Sequence, residues 1–154
     1  MSKWFFINLA VLLFATWKVT TGYVGLHVII GAMGLLLVLY NWTRHAVYST
    51  IRSNINRERK IKFAKMTKSV RKYHQWVGTY SLLFILFHGL FALYQYNFHL
   101  NNFKVISGLI AMIILAGVVI TGWRRKWKKT RHQHIIHLSF GFGMFAFILI
   151  HLIV

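Results

Sequence analysis

The sequence predicts an all-α integral membrane protein with five transmembrane helices, on three observations. Hydrophobic residues fill 57% of the 154 positions and the mean hydropathy is +0.55, well beyond an ordinary soluble domain. The apolar residues gather into five runs, at about 4–18, 22–42, 75–96, 104–123 and 134–154, most of them near the roughly 20 residues that a hydrocarbon core of about 30 Å requires. Proline is absent, so no span carries the usual kink residue and straight helices are the default.

The first run is short, and Lys3 before its apolar core also suits a signal peptide. It ends in Ala15-Thr16-Trp17-Lys18 with no small-residue cleavage site, so it is read as a helix. The second run holds His27, Gly31 and Asn41. A basic inner loop is expected over 43–73, its residues 46–72 forming an interfacial helix with Ile51, Ile55, Ile61, Phe63, Ala64 and Met66 among the cations. The third and fifth runs carry paired histidines. The fourth has none and is rich in small residues, Ser107, Gly108, Ala111, Ala116, Gly117, Thr121 and Gly122, as close helix packing requires. Helices two to five are expected to form a four-helix bundle in a single domain, with the N-terminal helix added to it.

Formal charge is +18, yet the placement of the cations argues against nucleic acid as a partner. Arg44, Arg52, Arg57, Arg59, Lys60, Lys62, Lys65, Lys68, Arg71 and Lys72 lie between the second and third runs. Arg124, Arg125, Lys126, Lys128, Lys129 and Arg131 lie between the fourth and fifth, leaving only Lys3, Lys18 and Lys104 elsewhere. Lysine and arginine mark cytoplasmic loops, so the N-terminus is expected inside and the C-terminus outside, in a bacterial or archaeal cytoplasmic membrane. The basic loops then meet anionic lipid headgroups or dock an acidic electron donor. Glu58 is the single acidic residue, which removes pumps and transporters that rely on intramembrane carboxylates. The absence of cysteine excludes disulfides, iron–sulfur ligation and covalent haem attachment.

The histidines carry the functional signal. His74-x3-Gly78-x9-His88 and His137-x3-Gly141-x9-His151 share one interval. Fourteen positions advance a helix by about 21 Å and return the side chain to nearly the same face. One antiparallel helix separates the two copies, so they run parallel and pair by depth, His74 with His137 and His88 with His151. Each pair can supply the two axial nitrogens of a b-type haem, giving two stacked haems held by histidine alone. Gly78 and Gly141, one turn from the inner histidines, leave room for a porphyrin edge. His27-x3-Gly31-x9-Asn41 is a broken third copy. His27 reads as a packing or hydrogen-bonding residue, with a substitute outer ligand or a proton group as the sharper options. His132, His134 and His137 crowd together without a carboxylate to balance them, a poor composition for zinc.

With those four histidines placed, the chain resembles over about 22–154 the membrane di-haem cytochromes b. These are the ferric reductase and NADPH oxidase transmembrane domain and the cytochrome b subunits of bacterial respiratory enzymes. The resemblance implies electron transfer between haems in the two leaflets. No flavin or nicotinamide domain follows His151, so a flavoprotein or other electron-donor or acceptor subunit is expected, in a complex or a homo-oligomer. Haem propionates are expected to pair with Arg71, Lys72 or Arg131. The alternative is a quinone-reactive anchor of a larger respiratory complex, with His45, His134 or His27 near a quinone carbonyl. A further alternative is a non-redox structural or metal-binding membrane protein.

Overall fold

The computed structural model describes residues 2–22, 24–96 and 102–154. Among them the chain forms five α-helices and no strand: α1 (Lys3–Thr21), α2 (Leu26–Arg52), α3 (Arg57–Gln95), α4 (Phe103–Trp127) and α5 (Arg131–Ile153). Each contains a segment long and apolar enough to cross a membrane, which in α3 is Val70–Gln95. The second span was expected from 22, whereas α2 starts at Leu26; Tyr23 lies outside the described residues. The hydroxyls of Ser2 and Thr130 and the amide oxygen of Asn102 accept first-turn N–H groups and so begin α1, α5 and α4.

Both expected basic loops prove to be mostly helix. α2 continues to Arg52 and α3 starts at Arg57, leaving only 53–56 as a turn in place of the loop 43–73. No glycine or proline stands between Gly34 and Gly78, and Lys, Arg, Met and Ala all favour helix, so the loss of hydropathy does not end it. The interfacial helix expected over 46–72 is corrected with it. α3 has 39 residues, about 58 Å at 1.5 Å per residue, roughly twice the hydrocarbon thickness. Its first turns therefore continue the span outward and do not lie flat beside it. Likewise the loop expected over 124–133 shrinks to 128–130, because α4 carries Arg124, Arg125 and Lys126 in a last turn where cations suit the helix dipole.

The helices assemble as two hairpins. α2 packs most closely on α3 and α4 on α5, while α1 lies on α2 and α3 meets α4 more thinly. The Ser81 hydroxyl donates to the Gly34 carbonyl at 3.1 Å in a buried α3–α2 contact. Gln75 donates to the Gly122 carbonyl at 3.2 Å, and the Trp123 indole donates to Thr79 Oγ1 at 3.1 Å, tying α3 to α4. Leu35, Val38, Leu39 and Trp42 of α2 meet Leu115 of α4 and Met144 and Phe145 of α5 in the buried core, to which α1 adds Val11 and Ala15. Trp42 and Phe145 stack with ring centres 4.6 Å apart. The Ser2 hydroxyl donates to Ser49 Oγ at 2.9 Å and Phe5 meets Phe63, so the start of α1 lies at the arginine- and lysine-rich end of the hairpin. That end is called the basic end below. The outward faces remain apolar, with Leu13, Leu90 and Ile113 more than half exposed, as helices in contact with lipid require.

Candidate functional site

Each hairpin presents one histidine-bearing helix to the other. The structure brings His74 of α3 to His137 of α5 at the basic end, with ring centres 6.2 Å apart and planes at 81°. At the far end it brings His88 to His151, again at 6.2 Å, with planes at 80°. Two imidazoles on one metal, with bonds of about 2.0 Å and about 1.1 Å from nitrogen to ring centre on each side, give about 6.2 Å between ring centres. Both pairs fit that arrangement.

Hydrogen bonds fix which nitrogen each ring offers. His88 Nδ1 lies 2.7 Å from the His27 carbonyl on α2. His151 Nδ1 lies 3.0 Å from the Lys104 carbonyl and 3.3 Å from Ser107 Oγ on α4. His137 Nδ1 lies 3.1 Å from the Val118 carbonyl and 3.0 Å from Thr121 Oγ1, also on α4. A carbonyl only accepts, so in these three rings Nδ1 carries the proton and Nε2 keeps its lone pair for a metal. His74 differs: its Nδ1 is buried with no hydrogen-bond partner among the described residues. Instead the Asn41 amide donates to the His74 backbone carbonyl at 3.1 Å.

Glycines make these contacts possible. A β-carbon at Gly31 would stand 2.7 Å from His88 Nδ1, one at Gly108 2.9 Å from His151 Cε1, and one at Gly122 3.3 Å from His137 Cε1. Each of these three rings thus lies against bare backbone on the neighbouring helix. Gly78 and Gly141, the glycines within the histidine interval, have a different place. Both line a cavity of about 640 Å³ at the basic end, together with His74, His137 and Asn41. A β-carbon at Gly141 would make only ordinary contact, 3.7 Å from Trp42.

The cavity also explains where the charge lies. Arg44, Arg52 and Arg125 line it, with His45 and His134. Glu58, the only acid in the sequence, is not among its lining residues. Arg71, Lys72 and Arg131, expected to pair with propionates, are not among its lining residues. Arg71 and Lys72 line a separate depression with Tyr48 and Thr67 between α2 and α3, and Arg131 is an exposed residue at the start of α5. The helical continuation of α2 past Trp42 carries Arg44 and Arg52 to the cavity instead.

His27 does not stand opposite another ligand. It stacks on His88, ring centres 6.1 Å apart and planes at 24°, and has Tyr96 at its edge. It serves His88 through its backbone carbonyl, so the substitute-ligand option finds no support in its placement. His45 packs edge-on against Trp4 and Phe142. No group of three or more His, Cys, Asp or Glu side chains able to hold a metal ion occurs among the described residues, so His132, His134 and His137 form no such cluster.

No protein-family model, curated protein or solved structure matches the chain. What the site can do follows from its own geometry. Two imidazoles per level could offer a metal two nitrogens, and its remaining ligands would have to come from elsewhere. The carbonyls and glycines that seat the rings escaped the sequence reading, which took Gly108, Ser107, Thr121 and Gly122 for helix packing. A signal was present: Ser107-Gly108 and Thr121-Gly122 repeat at fourteen residues, the histidine interval, on a helix without histidine.

Proposed function

We propose that the chain binds two b-type haems, one between His74 and His137 and one between His88 and His151, and conducts electrons across the membrane between a donor and an acceptor. One observation carries this reading. Two histidine pairs about 21 Å apart along their helices share a 6.2 Å ring separation and near-perpendicular planes. A ring separation of 6.2 Å is what two imidazoles sharing one cation would show. Haem iron supplies that cation and one-electron chemistry. The chain's own residues orient the imidazoles through carbonyls on α2 and α4. Gly78 and Gly141 leave space beside the basic-end pair, and Arg44, Arg52 and Arg125 offer charge-assisted hydrogen bonds to propionates there. By the distribution of lysine and arginine the basic end faces the cytoplasm. Its exposed cations on α3 suit an acidic flavoprotein or similar donor, and the chain works within a complex or a homo-oligomer.

The test is the haem content and optical spectrum of the purified protein. Two haems per chain with six-coordinate, bis-histidine spectra are expected, and alanine at any one of the four histidines should abolish that signature in one haem only. A preparation that binds no haem would sink the reading. A second reading, a quinone-reactive anchor subunit, draws on the cavity's aromatic wall and on His45 and His134 beside it. A quinone requirement for haem reduction favours it, and rapid quinone-free reduction by a soluble flavoprotein counts against it.

A further inference from the structure

The seats that hold the ligands repeat with the ligands. On α4, Lys104, Ser107 and Gly108 recur fourteen residues on as Val118, Thr121 and Gly122, giving each α5 histidine a carbonyl, a hydroxyl and a glycine. On α2, the far-end seat is the His27 carbonyl with Gly31 four residues later. Fourteen residues on from these stand Asn41 and His45. The fourth seat therefore has its carbonyl and lacks its glycine.

The other three seats show what that costs. At Gly31 a β-carbon would come within 2.7 Å of the ring nitrogen it now admits; at position 45 a β-carbon is present. The His45 ring is held by Trp4, Trp42 and Phe142. His74 Nδ1 reaches no acceptor among the described residues. An Nδ1–H···O=C bond fixes a ligating imidazole and raises its basicity, and loss of such a partner weakens metal binding by about 10- to 100-fold.

We infer that His74 is an exchangeable ligand, and that the basic-end iron is a binding site for a small neutral ligand of ferrous haem, such as carbon monoxide, taken in place of His74. The inference rests on the two-haem reading above. His137, seated on α4, would keep hold of the iron while the His74 imidazole, with no acceptor to fix it, turned away. At the far end His88 and His151 are both seated and would leave no position for such a ligand.

Carbon monoxide titration of the full-length, dithionite-reduced, haem-loaded protein tests this by optical difference spectroscopy. One of the two haems is expected to bind. His45→Gly completes the fourth seat and is expected to lower that affinity about tenfold or more, with His45→Ala, which keeps the β-carbon, falling less. Gly31→Ala unseats His88 and is expected to add carbon monoxide binding at the second haem. Two haems of which neither binds carbon monoxide, or both bind it equally in the unaltered protein, would overturn the inference and leave the two-haem reading standing. So would an unchanged affinity in His45→Gly. A preparation without haem overturns the two-haem reading itself. Should His45→Gly fail to fold, the stoichiometry of the unaltered protein and the gain in Gly31→Ala still decide the question.

Discussion

At the far end both facing imidazoles are tied back at Nδ1, His88 to the His27 carbonyl and His151 to the Lys104 carbonyl. At the basic end His137 is tied, and His74 has no Nδ1 partner among the described residues. Both levels nevertheless hold their rings 6.2 Å apart. The separation is therefore set by the helices that carry the histidines, and the seats set how firmly each ring is kept there. The basic end joins its less anchored imidazole to a cavity lined by arginine, whereas the far end has a seat on each side. Equal ring separation can thus hide unequal anchoring of the imidazoles.

Removing ligands tests this contrast most severely. His88→Ala and His151→Ala are each expected to lose the far-end haem, taking the recovered haem from two to one per chain. His137→Ala should do the same at the basic end. His74→Ala is expected to break the pattern by retaining haem through His137 alone, with a five-coordinate spectrum. Haem stoichiometry and spectrum on the four purified variants check this. Equal loss in all four would erase the contrast between the levels.

The glycines give the next largest effect, graded by distance. A β-carbon at Gly31 or Gly108 meets its histidine at under 3.0 Å, and at Gly122 it meets one at 3.3 Å. Gly31→Ala and Gly108→Ala are thus expected to weaken far-end haem binding by about 10- to 100-fold, the scale for disturbed support of a metal ligand, and Gly122→Ala to do less at the basic end. Gly141→Ala separates packing from cofactor. Its β-carbon only touches Trp42 in ordinary contact, so the haem-free fold should tolerate it while basic-end haem retention falls. Haem-transfer titration alongside thermal unfolding reads both.

Hydropathy and interval made much of this legible: five apolar runs marked five helices, and the fourteen-residue spacing marked which histidines meet. The helix ends and the seats were harder to read. Charge ends a hydrophobic run without ending a helix, so α2 and α3 continue through the basic stretch where Arg44 and Arg52 then find the cavity. Backbone carbonyls have no letter in a sequence, so the partners of His88, His137 and His151 appear only as the glycines that admit the rings. His27 shows the same limit. Its imidazole looked like a spare ligand, while the group that acts on His88 is its carbonyl.

Charge should separate the two levels more gently. Reduction adds an electron, and nearby cations stabilise the added charge, so Arg44→Gln and Arg125→Gln are each expected to lower the basic-end midpoint potential and leave the far-end value unchanged. Both side chains are half-buried. At about 10 Å and an effective dielectric constant near 20, each contributes about 1.7 kcal/mol, about 70 mV for one electron. Redox titration resolves the two haems. Matching shifts at both would mean that the arginines act on the protein's overall field and not on one site.

The smallest expected effect concerns the hydroxyls, and it bears most directly on what a seat consists of. Thr121 Oγ1 and Ser107 Oγ each lie beside a ligand Nδ1, but a carbonyl accepts from the same nitrogen at 3.1 Å and 3.0 Å. Thr121→Val removes the hydroxyl, keeps the shape and leaves the Val118 carbonyl in place. One accepting partner of two is lost, which corresponds to about 0.5–1.5 kcal/mol. The basic-end potential should therefore move by tens of millivolts with its haem retained, and Thr121→Ser should return it. Ser107→Ala should move the far-end potential less, because its oxygen is the more distant at 3.3 Å. A larger shift from Ser107→Ala than from Thr121→Val would show that hydroxyls, and not carbonyls, carry the anchoring. The glycine repeat would then mark packing alone.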